Sequence, residues 1–124
     1  MIRNAMWRRV ELVARDDLDG LIAMERAAAD RTDPPAEVTM TRSAWDAALE
    51  DYYAEHDRVL LDADARGPAL LEVTESGTSW AVRQTIHDPE GHHDWVIDGV
   101  VDIEASDETG ELVLAAVAMH RLGG

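Results

Sequence analysis

Apolar positions recur every three or four residues through the first half of the chain and every second residue from Ala69 onward. Met6, Val10 and Val13, with Leu12 on a neighbouring line and Trp7 beside it, form one broad apolar face. Leu18, Leu21, Ile22 and Met24 continue the pattern through "DDLDGLIAMERAAAD", where Asp16 and Asp17 can cap or restart a helix and Gly20 is a weak point. Two helices, or one kinked helix, are predicted there. "DRTDPPAEV" then stops the helix, because Pro34 and Pro35 lack amide donors and Asp33 is pushed out of helical geometry. Thr41 is placed to cap the next helix, "RSAWDAALEDYYAEH", with Trp45, Ala48, Leu49, Tyr52 and Tyr53 along one side. An irregular connection follows, with room for a short strand at 59–61.

From Ala69 onward the period is two. "ALLEVTE", "SWAVRQTIH", "DWVIDGVVDIEAS" and "ELVLAAVAMHRL" read as four strands, separated by "SGT", "DPEGHH" and "DETG". Such short connections favour an antiparallel meander. Trp80, Val82, Gln84 and Ile86 share one face of the second strand, and Trp95, Ile97, Gly99, Val101 and Ile103 share one face of the third. If these faces match across the hairpin, the opposite face brings Arg83 near Asp98 or Asp102. The fold class is therefore α+β: two or three N-terminal helices packed on a curved antiparallel sheet of about four strands. It reads as a single domain over 1–124, with a helical part at 1–56 and a sheet part at 57–124. On element order alone this resembles the nuclear-transport-factor-two-like cone, whose pocket lies between helices and sheet.

Composition narrows the chemistry. With 124 residues, 46% hydrophobic and 30% charged, the chain is long enough for one core and too polar for a membrane protein. The start, "MIRNAMWRRVEL", lacks a secretory signal's apolar run, so a cytoplasmic location is expected. There is no cysteine, which excludes thiolate chemistry, and all 11 basic residues are arginine, which excludes a Schiff-base lysine and a P-loop. The formal charge is −15, and residues 61–124 carry three arginines against thirteen acids. A polyphosphate backbone should be repelled, leaving only Arg3, Arg8, Arg9 and Arg15 to contact phosphate.

Three of the five histidines fall in "IHDPEGHHDWVIDGVVD". "DPEG" is accounted for by a turn: proline at its second position, Asp88 bonding the turn amides, and Gly91 taking a positive φ on exit. His87, His92, His93 and Asp94 are metal-compatible donors, but adjacent His92 and His93 would point to opposite faces of a strand, and spacing shows no distant ligand pair. No metal and no cofactor are expected. Gln84 needs partners if buried among Trp80, Val82 and Ile86, either backbone or a cavity. Arg83 with Asp98 or Asp102 is a solvated ion pair if that face is flat, and a pocket floor if helices cover it. Trp80, Arg83, Gln84, Trp95, Asp98 and Asp102 are thus the candidate pocket or interaction residues, with no catalytic residue assigned. In a pocket-bearing fold, His87, Asp98, Asp102 and His120 are the acid/base candidates. The low-charge strand "ELVLAAVAM" offers an edge to a second copy.

"RNAMWRRVEL", "ARGPALLEV", "WAVRQTIHDPEGHHDW" and "VVDIEASDETGE" resemble, in order and over nearly the whole chain, the uncharacterised C-terminal domain at the end of actinobacterial DEAD/DEAH-box helicases. Val82-Arg83-Gln84, Asp88-Pro89-x-Gly91, Asp94-Trp95 and Val101-Asp102 carry the likeness. The chain departs from the usual pattern at His92, commonly acidic, and at Trp7, commonly phenylalanine. No P-loop and no DEAD-like box are present. The resemblance implies a non-catalytic accessory or protein-interaction domain whose partner is a helicase core. A small-molecule-binding or enzymatic cone is the competing expectation.

Overall fold

The computed structural model describes residues 1–123. The three predicted helices form as α1 (Ile2–Ala14), α2 (Leu18–Asp30) and α3 (Arg42–Glu55). Asp17 starts α2 by accepting the Gly20 amide at 2.9 Å, and Thr41 starts α3 by accepting the Ala44 amide at 3.3 Å. Gly20 is less a weak point than a contact point: a Cβ there would lie 2.7 Å from the Leu12 side chain, so α1 and α2 approach closely at that residue. Residues 59–61 form no strand. A short 3₁₀ turn, Pro68–Leu70, leads into the sheet.

The strands β1 (Leu71–Thr74), β2 (Ser79–Thr85), β3 (Trp95–Asp102) and β4 (Leu114–Arg121) lie in the order β1-β2-β3-β4, all antiparallel. The register sets Trp80 opposite Val101, Val82 opposite Gly99 and Gln84 opposite Ile97, so the predicted faces do match. The sheet is curved and not closed. Its register shifts between Asp98 and Gly99, where β4 carries an extra residue.

One predicted strand segment is corrected. The alternation that suggested continuing β3 through Ser106 ends at Asp102, whose carboxylate accepts the Ala105 amide at 3.0 Å and opens a helix, α4 (Ile103–Thr109). Gly110, at φ +74°, closes it in the left-handed region.

The core joins helices and sheet in one cluster. Met6, Val10 and Val13 of α1, Leu21 of α2, and Trp45, Leu49 and Tyr52 of α3 pack on Val82, Ile97, Val101, Leu114 and Met119. A buried ion pair reaches the start of the β4 edge. Arg9 and Glu25, 1% and 2% exposed, pair at 2.9 Å and 3.1 Å. Arg9 also donates to the Leu114 carbonyl at 3.0 Å, and Glu25 accepts the Ala116 amide at 2.9 Å. Two outward backbone groups at the start of β4, the Leu114 carbonyl and the Ala116 amide, are therefore engaged within the chain.

Candidate functional site

The six residues singled out by sequence separate into two faces of the sheet. Trp80, Gln84 and Trp95 lie on the face toward the helices. Gln84, 3% exposed, donates to the carbonyls of Leu70 and Thr85, both at 3.1 Å, so its amide faces backbone and not a cavity. Trp95 packs edge-on against Tyr52 with ring centroids 5.6 Å apart and donates to Glu55 at 3.0 Å. Trp80 is half-buried near Ile2 and Ile103.

Arg83 and Asp98 meet on the opposite face. Nε and the second guanidinium nitrogen of Arg83 reach the two carboxylate oxygens at 2.8 and 3.2 Å, and His120 Nε2 lies 2.8 Å from one of them. Burial opposes ionisation of Asp98, but the hydrogen bonds from Arg83 and His120 outweigh it and hold the carboxyl below its ordinary value. Asp102 is not part of this group, being used as the α4 cap. The trio runs across β2, β3 and β4, and Arg83 and Asp98 line a shallow concave surface with Glu72, Ala81 and Val100.

A denser polar cluster, which spacing did not reveal, forms where the end of α3 meets the β2–β3 connection. His56 follows α3 in extended conformation, its amide bonded to the Tyr52 carbonyl at 2.9 Å and its ring against Tyr52 at 5.2 Å. The connection above it is wound around Asp88. The Asp88 carbonyl accepts the Gly91 amide at 3.0 Å, and its carboxylate accepts the amides of His92 and His93 at 3.0 and 2.8 Å. Gly91 and His93 both take positive φ, +71° and +52°, so the turn chemistry expected of "DPEG" is present and extends two residues further.

His56 is 4% exposed and sits among carboxylates. Nδ1 contacts Glu90 and lies 3.7 Å from Asp88, while Nε2 is 3.3 Å from Asp94. Burial pushes the imidazole down, yet the hydrogen bonds to Glu90 and Asp94 and the charge of Asp88 carry it above its ordinary value. Burial likewise works against ionised Asp88, and the His92 and His93 amides reverse the effect. Arg121 closes the outer side, 3.1 Å from Glu55 and 3.3 Å from Asp94. An imidazole engaged on both nitrogens serves as a hydrogen-bond and charge node, not as a free general base.

His56 is the distant imidazole that the hairpin lacked. No sequence interval pairs a helix C-cap with a loop more than thirty residues on. His87 and His93 form a separate pair, Nδ1 to Nε2 at 2.7 Å, on the outer surface of the same loop.

Residues 1–119 match the domain of unknown function DUF3516. The chain belongs to this family. No curated protein and no solved structure is similar enough to match. Among the described residues of this DUF3516 domain, no helix is long and apolar enough to cross a membrane. Three of the four N-terminal arginines named above have partners within the domain. Arg9 is consumed by Glu25, Arg3 donates to the Arg66 carbonyl at 2.7 Å, and Arg8 lies 3.8 Å from Glu11.

Proposed function

We propose that this DUF3516 domain is a non-catalytic accessory module that docks on a basic protein surface, and that the surface belongs to a DEAD/DEAH-box helicase core in the cytoplasm, as its resemblance to the C-terminal domain of such helicases implies. The observation that carries the reading is the disposition of charge. Arg9, Arg31, Arg42, Arg83 and Arg121 are each within 3.4 Å of a carboxylate of the domain itself. With 26 acids against 11 arginines, the remaining field is negative, and it complements a cationic protein face while repelling phosphate.

The interior supports an accessory role over a ligand-binding cone. Trp45, Tyr52, Leu49 and Ile97 pack together in the core between helices and sheet, and Gln84 spends its amide on backbone. Titrating the purified domain into a DEAD/DEAH-box helicase core, with calorimetry and RNA-stimulated ATPase as readouts, tests the proposal. Saturable binding that weakens with added salt and alters the motor's ATPase is expected, with no turnover by the domain alone. Turnover by the isolated domain, or the absence of any binding at low salt, would overturn it.

A further inference from the structure

Two imidazoles and a carboxylate converge beside the end of α3: the ligand atoms of His56, His92 and Asp94 lie within 4.8 Å of one another. They are held before any ion arrives. His56 is fixed by burial and by its backbone bond to Tyr52, and Asp88 fixes the loop through the amides of His92 and His93. His92 itself is exposed, which gives an ion a route in from solvent.

We propose that His56 Nε2, His92 and Asp94 form a binding site for a divalent transition-metal ion of the zinc class. The donor set argues for that class. Mixed imidazole and carboxylate ligands suit zinc, cobalt or nickel, whereas calcium and magnesium take oxygen donors throughout. The surroundings argue for a ligand role for Nε2 in particular. Nδ1 faces the other way, toward Glu90 and Asp88, so that with Nε2 on the ion its N–H is directed at a carboxylate, the usual support of a metal-bound histidine. Asp88, Glu90, Asp94 and Glu55 also outnumber the positive groups beside them, His56 and Arg121, and a divalent ion offsets that excess. This site is independent of the docking role proposed above.

The test is cobalt titration of chelator-treated protein, reading the visible d–d bands, with zinc competition by calorimetry. One ion per chain is expected. His92→Ala, a change at an exposed side chain, should remove the bands while leaving the far-ultraviolet circular dichroism unchanged, and His56→Gln should do the same if it folds. Glu90→Gln should weaken binding about 10–100-fold by removing the carboxylate behind His56. His87→Ala, which breaks only the outer histidine pair, should leave the spectrum intact. Failure to bind cobalt or zinc overturns the proposal, and so does binding that survives His92→Ala but is lost with His87→Ala.

Discussion

Gly99 lies where β4 bulges against β3 and faces Met6 of α1. A Cβ there would lie 3.2 Å from the Ala115 carbonyl and 3.3 Å from Met6 Sδ, both tighter than ordinary contact. Gly99→Val should therefore destabilise the domain by about 1–3 kcal/mol through overpacking, read as a lower urea midpoint; an unchanged midpoint would mean that Met6 yields freely. Asp98 makes a pH-dependent counterpart on the other face. Its carboxyl is held below the ordinary value, so it adds stability above the unfolded-state value of about 4, and that stability is lost as pH falls through the folded value. The urea midpoint of the natural protein should exceed that of Asp98→Asn at pH 7, and the gap should close toward about pH 2. A gap that persists in acid would assign it to packing. Gly99 was legible as a mid-strand glycine facing Val82, and Arg83–Asp98 as a cross-strand pair, because strand periodicity fixes both. His56 was not, because its partners lie across a tertiary contact that no local spacing encodes.

Elements were legible to the degree that their ends carry local chemistry. The caps Asp17 and Thr41 sit where the sequence placed them, since a side chain three residues upstream of an amide needs no tertiary help. The segment after Asp102 went the other way. Ile103 continued the alternation of β3, but Asp102 as N-cap and Gly110 as a left-handed terminator specify a helix between them, and the terminators outweighed one further apolar position. The cover at the start of β4 was not legible for a related reason: "ELVLAAVAM" contains nothing that supplies it, because it comes from the Arg9–Glu25 pair of α1 and α2. Glu25→Ala would leave a buried guanidinium unpaired and the Ala116 amide without its acceptor. A loss of about 3–5 kcal/mol in unfolding free energy is expected, with the double variant Arg9→Met, Glu25→Leu recovering part of it. A double variant no more stable than Glu25→Ala would place the energy in the strand backbone contacts and not in the uncompensated charge.

At the scale of the whole molecule, charge and stability oppose one another. A net charge of −15 on 124 residues means that like charges face each other across much of the surface, and the arginines that could relieve this are largely committed to local pairs. Salt acts on both terms. It weakens exposed pairs such as Arg42–Asp19, each worth at most ~1 kcal/mol, and it screens the wider repulsion once the Debye length falls to about 10 Å near 0.1 M. The buried Arg9–Glu25 pair is screened least. Because the acids outnumber the arginines more than twofold, relief of repulsion should win: the urea midpoint of chelator-treated protein should rise as sodium chloride is raised from about 10 mM to about 200 mM. A falling midpoint would show that the surface pairs dominate. The same repulsion connects stability to the proposed docking, since a basic partner lowers it by supplying the missing cations. Partner and salt should then substitute for each other, the stabilisation conferred by a helicase core being greatest at low salt and shrinking as salt alone does the work. Stabilisation by the core that is insensitive to salt would point instead to an apolar interface and would separate the accessory role from the charge argument on which it now rests.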